Sequence, residues 1–171
     1  MAAFSTAMAA LTIANGFMNY RGNRNAEAAA KAEGNFQAGV LGLNADLADR
    51  AAEDSILRGK EAANKSRAAT RQLAGAQRAT LAAQGIDINT GSAADLQLET
   101  QDLGELDVLT ISNNAQREAY GYKVESWNDR QQAKLALMGA RNRAGAYHNQ
   151  GISTLITTAA SLGDQYNRSK S

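Results

Sequence analysis

The chain of 171 residues contains no proline and no cysteine, and only 5% of its residues are aromatic. Without proline, no helix is forced to end by a missing backbone N–H or a ring clash. Without cysteine, disulfide scaffolds and thiolate metal sites are excluded. Because aromatic residues are scarce and alanine is abundant, a compact core of large side chains is hard to assemble. The composition therefore favours long helices that meet along narrow seams.

The residues that are present are mostly strong helix formers: Ala, Leu, Gln, Glu, Lys and Arg. They predict an all-α protein. A chain with narrow Ala/Leu seams buries too little surface alone to offset the entropy lost on ordering. We therefore expect the working form to be a homo-oligomer.

Charge is distributed in blocks, although the net charge is only +1. Between Arg58 and Arg78 every charged residue except Glu61 is basic, whereas between Asp87 and Asp107 every charged residue is acidic. A small net charge gives no global field that attracts nucleic acid or anionic lipid, so we expect DNA contact to be non-specific at most. Blocks of one sign indicate partner faces within an assembly.

One stretch, LAAQGIDINTGSAADL, interrupts the helical pattern near residues 85–91. Gly85 suits the left-handed cap at the end of a helix. Ile86 and Ile88 then alternate with polar residues. Gly91 follows them, immediately before the residues that signal the start of a second helix. Ser92 and Asp95 have the spacing of a capping box at the beginning of a second helix. A phosphate bound at that helix start is an alternative explanation of the same residues.

If the break reverses the chain, the two arms should carry complementary charges. Folding about residue 88 places residue i opposite residue 176 minus i. This register pairs Arg78 with Glu99, Arg71 with Glu105, Arg58 with Glu118, Glu53 with Lys123, Asp46 with Arg130 and Glu33 with Arg143. Lys60 against Arg117 counts against it. The pattern predicts an extended antiparallel helical hairpin, and a straight rod is the alternative.

Apolar spacing suggests which residues join the arms. On the first arm the candidates are Phe36, Val40, Leu43 and Leu47, followed by Ala69, Leu73, Ala76 and Thr80. On the second arm they are Leu96, Leu103, Leu106, Leu109, Ile111 and Ala115. The expectation is that bulky residues of the second arm pack against small residues of the first.

Changes in composition suggest five segments: residues 1–20, 21–84, 85–91, 92–143 and 144–171. The first is an uncharged apolar helix, the second and fourth are long helical arms, and the third connects them. The last is an uncharged small-residue segment with a polar tail. Gly34, Gly39 and Gly42, followed by Asn44 as a candidate N-cap, predict an interruption of the first arm between about residues 34 and 44.

Both ends carry an uncharged stretch of 20 residues, 1–20 and 144–163, if the single His is neutral. Each is long enough to cross a bilayer as a helix, but both are rich in Ala, Ser, Thr, Asn and Gly, which insert weakly. Their small residues suit close helix packing in water or in lipid. The candidate residues for an oligomer seam or a membrane contact are Leu11, Ile13, Phe17, Ile152, Leu155 and Ile156.

No pattern of catalytic residues stands out. His148 is the only histidine, so a histidine metal site or triad would need another chain. The sequence has no phosphate-binding loop, zinc spacing or nucleophile elbow. Trp127 with Tyr120, Tyr122 and Tyr147 could stack single-stranded nucleic acid, although helix packing explains them as well. We expect no enzyme activity, no cofactor and no metal.

The run RATLAAQGIDINTGSAADLQ, residues 78–97, resembles a segment of the internal virion proteins of short-tailed bacteriophages, the small conduit-forming ejection proteins. The resemblance implies a protein stored in the phage head near the portal and released to help form a conduit for DNA across the host envelope. It implies self-association, contacts with other core, portal or tail proteins, and a further contact with the host membrane. The alternatives are a structural tail or portal adaptor without a membrane step, and a coiled-coil scaffold unrelated to phages.

Overall fold

Two long α-helices make up nearly all of the chain in the computed structural model, which describes the backbone of residues 2–170 and the side chains of residues 10–168. Helix α1 spans Ala2–Ala83, and helix α2 spans Gly91–Lys170. The two helices pack as an antiparallel hairpin, and no strand occurs among the described residues. The all-α fold and the hairpin expected from the sequence are confirmed.

Helix α1 ends with backbone bonds that satisfy its last carbonyl groups. The N–H of Ile86 donates to the carbonyl of Leu81 at 3.1 Å, and the N–H of Gly85 donates to that of Ala82 at 3.0 Å. These two bonds form a Schellman motif, which requires a left-handed residue. Gly85 supplies it with a φ of 73°, a conformation in which a residue with a Cβ is strained. Gly91 begins helix α2 with a φ of 63°.

The chain divides into two compact units. Unit 1 contains the described residues up to Leu43 and from Asp129 onward, and unit 2 contains Asn44–Asn128. Each unit holds a segment of both helices, packed along a row of buried residues that we call its inner seam.

The inner seam of unit 2 is built mainly from small side chains. Helix α1 contributes Ala45, Ala48, Ala52, Ser55, Gly59, Ala63 and Ala74, and helix α2 contributes Ala93, Gln97, Gly104, Val108, Ala119 and Ser126. Ala52, Ala63 and Ala74 recur every 11 residues. This spacing equals about 3.67 residues per turn, close to the 3.6 of an α-helix, so the same face of the helix stays against its partner.

Glycines in unit 2 allow a close approach of the two helices. A Cβ built at Gly59 would overlap the Cβ of Ala115, and one built at Gly104 would overlap the side chain of Thr70. Small residues therefore face small residues across this seam. The expectation that bulky side chains of the second arm fill the spaces of the first is wrong.

The bulky residues predicted to join the arms are mostly exposed. The exposed set is Phe36, Val40, Leu43, Leu47, Ala69, Leu73, Ala76, Thr80, Leu96, Leu103, Leu106 and Leu109, while Ile111 and Ala115 are half-buried. The prediction failed because a 4-3-4 spacing identifies one face of a helix but not the molecule that covers it.

Unit 1 has an inner seam of the same kind, which contains the buried residues Ala30, Ala140 and Ala144 together with Gly34 and Gly151. A Cβ at Gly34 would overlap that of Ala140. This glycine therefore serves a close helix approach and does not end a helix.

The predicted interruption between residues 34 and 44 is wrong, because helix α1 continues through this stretch and Asn44 lies inside it. The segment boundaries expected at residues 20 and 144 also fall inside helices α1 and α2. They mark changes in composition, since an isolated glycine or a change of charge content does not break a helix that packs along its length.

The register between the arms is close to the expected one. Gly59 faces Ala115 and Gly34 faces Ala140, so the numbers of facing residues add up to 174 in both units, instead of 176. The difference of two residues is smaller than one helical turn. Charge pairs therefore located the register only approximately.

Polar contacts in unit 2 scatter around this register by a few residues. A guanidinium nitrogen of Arg58 lies 3.0 Å from the carboxylate of Glu118, as the charge pattern predicts. Ser55, which sequence reasoning missed, donates to the same carboxylate at 2.8 Å. Glu105 lies 3.6 Å from Arg67, and the described ion pairs do not include one between Glu105 and Arg71, the predicted partner, although both residues line the same cleft.

We predict opposite effects for two alanine substitutions in helix α1 of unit 2. Gly59→Ala should reduce the free energy of unfolding by about 1–3 kcal/mol, because overpacking at Ala115 outweighs the gain in helix propensity. Gly75→Ala has nothing within 4 Å of its new Cβ and should raise stability by up to about 1 kcal/mol. Urea unfolding followed by circular dichroism measures both. Equal stabilisation by the two variants would contradict the close approach at Gly59.

Candidate interaction surface

Large apolar side chains lie mainly on the outside of this protein. The buried apolar side chains that the structure describes are ten alanines and Val108. The exposed large apolar residues have exposed fractions between 40% at Val124 and 75% at Phe36, and others such as Leu41, Ile56 and Leu137 are half-buried. The accessible surface is 12164 Å², against about 8,000 Å² for a compact monomer of this mass. Many exposed large apolar side chains are typical of interaction sites.

The six candidate residues at the chain ends form a group that we call the end patch: Leu11, Ile13, Phe17, Ile152, Leu155 and Ile156. Their exposed fractions lie between 41% and 63%. The two end segments lie side by side, because a Cβ at Gly16 would overlap the side chain of Thr158. The end patch lies outside the inner seam of unit 1. Within the described residues, neither helix contains a stretch apolar enough to span a bilayer.

The connection between the helices is organised by Asp87. The backbone N–H of Asn89 and the hydroxyl of Thr90 each donate to its carboxylate at 3.0 Å. Both bonds lower the pKa of Asp87 below its ordinary value, and the bond from the backbone N–H has the larger effect. In the part of the chain that the structure describes, neither the Ser92 hydroxyl nor the Asp95 carboxylate makes a hydrogen bond. The polar bonds at this helix start come from Asp87 instead of the expected capping box.

Gln97 holds the connection against both helices, and sequence reasoning missed it. It is 6% exposed. Its amide nitrogen donates to the carbonyl of Ile88 at 2.9 Å and to that of Ala93 at 3.0 Å. Its amide oxygen accepts a bond from the side chain of Arg78, which the charge pattern had assigned to Glu99. The sequence feature that could have identified Gln97 is its position seven residues before Gly104, which places both residues on the same face of helix α2.

A groove on the exposed side of helix α2 combines leucines with carboxylates. Its lining residues are Asp95, Leu98, Glu99, Asp102, Leu103 and Leu106. The described ion pairs include none of these three carboxylates. We call this surface the acidic leucine groove.

Two aromatic residues of unit 2, Tyr120 and Trp127, form part of the same exposed side. Tyr120 is 70% exposed and Trp127 is 61% exposed, and their spacing of seven places them on one face with Val124. Tyr122 is half-buried. A nucleic-acid stacking surface of all four aromatic residues is not formed in unit 2, because Tyr147 belongs to unit 1.

His148, the only histidine, has a specific neighbour in unit 1. Its Nδ1 lies 3.4 Å from Oε2 of Glu27, and Oε1 of the same carboxylate accepts a bond from the ammonium of Lys31 at 2.6 Å. The hydrogen bond from Lys31 lowers the pKa of Glu27 most, and the contact with His148 lowers it further. Among the described residues, no group of three or more His, Asp or Glu side chains is placed to hold a metal ion.

Comparison with known proteins adds no functional assignment. No family model, no curated protein and no solved structure matches this chain significantly.

We predict that Gln97→Leu destabilises the hairpin by about 1–3 kcal/mol, because it leaves the Ile88 carbonyl and the Arg78 guanidinium without their partner. Gln101→Leu is the matched control, since Gln101 is exposed on the same helix, and it should change stability by less than about 0.5 kcal/mol. Thermal unfolding followed by circular dichroism measures the two effects. If Gln97→Leu is as stable as the control, Gln97 does not hold the connection.

Proposed function

We propose that this protein is a non-enzymatic assembly component of a bacteriophage virion. Copies are stored in the head near the portal, released during infection, and help to form a conduit for DNA across the host envelope. The partners in this proposal are other copies of the chain and other core, portal or tail proteins.

One observation carries the proposal: the inner seams use alanine, glycine and serine, while leucines and aromatic residues lie outside. Fully burying one Leu or Phe side chain contributes about 1.5–3 kcal/mol, far more than burying an alanine methyl. A chain that leaves such side chains in water is adapted to bury them against other molecules. An assembly subunit has this property, whereas an enzyme needs a concave site with placed polar groups.

The assignment to a virion rests on the resemblance of residues 78–97 to ejection proteins. This segment coincides with the most specific local structure of the hairpin. It begins at Arg78, includes the Schellman glycine Gly85 and the carboxylate of Asp87, and ends at the buried Gln97. The resemblance therefore covers the residues that reverse the chain and not merely a helical composition.

The proposed mechanism needs no covalent chemistry. Inside the particle, neighbouring proteins cover the end patch and the other exposed apolar residues. On release these residues exchange protein contacts for contacts with the envelope. Differential affinity for the two environments drives such an exchange.

A structural tail or portal adaptor without a membrane step is the second candidate. The polar composition of the end segments favours it, because Asn, Thr, Ser and Gln between the apolar residues fit a protein interface better than lipid. The two candidates differ in whether the protein leaves the virion.

We expect quantitative mass spectrometry of purified virions to show this protein before DNA release and to show its loss afterwards. Particles are triggered to eject their DNA in vitro and are then separated from the released material. The major capsid protein is the internal control, because it stays with the particle. Retention at an unchanged ratio to the capsid protein would identify a structural adaptor.

We expect purified protein to release dye from liposomes, and Leu11→Asp and Leu155→Asp to reduce this leakage strongly. A charge at the centre of an inserted helix costs about 2.5–3.5 kcal/mol. Leu57→Asp is the matched control, because Leu57 is similarly exposed but lies outside the end patch. Leakage that is equal in all variants, or absent with wild type at every lipid composition, would remove the membrane step.

A further inference from the structure

The outer face of helix α2 in unit 2 carries a regular row of large apolar side chains. Leu98, Leu109 and Tyr120 follow one another at intervals of 11 residues, which is close to three full turns of an α-helix. They therefore lie on one face of the helix. Their exposed fractions are 59%, 57% and 70%, so helix α1 of the same chain leaves this face uncovered. We call these three residues the outer row.

Two charged residues on this side of helix α2 also face away from helix α1. Gly104 and Ala115 lie against helix α1, which leaves no space for an additional Cβ. Asp102 precedes Gly104 by two positions, and Arg117 follows Ala115 by two positions. Because two residues turn an α-helix by about 200°, both charged side chains point outward. Both are exposed, and the described ion pairs include neither of them.

The outer row and the charged pair are symmetric about the same point of the helix. Leu109 lies midway between Leu98 and Tyr120, and the midpoint of Asp102 and Arg117 falls between residues 109 and 110. A second, antiparallel copy of helix α2 related by a two-fold axis at Leu109 therefore sets acid against base and leucine against tyrosine. In this register, facing numbers add up to 218 for the outer row and to 219 for the charged pair. The face is complementary to itself, as a two-fold contact requires.

Other pairings of this face lose one of the two contacts. A parallel copy in register would set Asp102 against Asp102 and Arg117 against Arg117, which is repulsive. A shift of the antiparallel copy by 11 residues would keep apolar residues of the outer row opposite one another. It would also move Asp102 about 16 Å along the axis from Arg117, so the charged pair would be lost. The register about Leu109 satisfies the apolar row and the charged pair together.

The overlap of two such copies matches the part of helix α2 that belongs to unit 2. Asn128, the last residue of unit 2, lies level with Gly91, the first residue of helix α2. The overlap is about 38 residues long, which is about 57 Å at a rise of 1.5 Å per residue. Within this overlap, helix α1 of each copy lies on the opposite side of its own helix α2. It therefore does not obstruct the contact.

We propose that this protein forms a two-fold symmetric dimer through the outer face of helix α2, with the two α2 helices antiparallel and Leu109 at the axis. Leu98 of each copy packs against Tyr120 of the other copy, and Asp102 pairs with Arg117 twice. The acidic leucine groove of each copy thus receives the basic half of the same face. The inference rests on the self-association that the proposed function includes, and it specifies the surface that one contact of the assembly uses.

Cysteine cross-linking tests the position of the axis, because the chain itself contains no cysteine. A disulfide requires Cα atoms about 4.4–6.8 Å apart. Leu109→Cys lies at the axis, so it should form a covalent dimer with a second copy of itself on mild oxidation. Leu98→Cys is the matched control, because Leu98 is similarly exposed on the same face but lies about 33 Å from its own counterpart. An equimolar mixture of Leu98→Cys and Tyr120→Cys should cross-link.

Charge exchange tests the polar pair. Asp102→Arg and Arg117→Asp each bring like charges together twice, so each variant should associate at least about tenfold more weakly than wild type. The double variant, Asp102→Arg with Arg117→Asp, exchanges the two charges and should associate like wild type. Glu53→Arg is the control for the altered net charge of Asp102→Arg, because Glu53 is exposed on helix α1, away from the contact. Circular dichroism checks that each variant is helical, and sedimentation velocity measures association.

The results separate this contact from the proposed function. If wild type associates but Leu98→Cys links to itself as fast as Leu109→Cys, the antiparallel register is wrong while self-assembly stands. The same conclusion follows if the double charge variant associates no better than the single ones, or if all charge variants associate like wild type. If wild type stays monomeric at micromolar concentration, self-assembly fails and this contact fails with it.

Discussion

The close approach of two helices along seams of small residues is the constraint on which the structure depends. Gly34 meets Ala140 in unit 1 and Gly59 meets Ala115 in unit 2, at separations that leave no space for an additional Cβ. A leucine or phenylalanine cannot replace the glycine or the alanine at these contacts. The large apolar side chains are consequently placed on the outer faces, where the hairpin itself does not cover them.

This arrangement links stability to assembly. Burial of alanine methyl groups and dispersion between closely packed backbones hold the hairpin, but both contributions are small for each residue. The outer leucines and aromatic residues retain most of the apolar surface that burial could stabilise. A partner that covers them would gain this free energy, and self-association is therefore part of the proposed function.

Polar residues give the hairpin its register and its reversal. Small apolar residues alone would oppose a slip of one helical turn only weakly in unit 2, since alanines recur along the buried face of helix α1. The carboxylate of Glu118 restricts such a slip because it accepts bonds from both Ser55 and Arg58. At the reversal, Gln97 binds the connection and Arg78 together. Ser55 and Gln97 are buried, so a slip that removed their partners would leave unsatisfied polar groups and is disfavoured.

Composition and local signals determined much of the fold without tertiary information. The absence of proline, the excess of helix formers and the glycine at position 85 act through the local backbone, and they predicted two long helices and a reversal near residues 85–91. Block charges placed the register within two residues. The tertiary structure decided which face of each helix is buried, because periodicity marks a face without saying what covers it. It also decided the role of Gly34 and Gln97, since a close approach and a buried hydrogen bond exist only when the second helix is present.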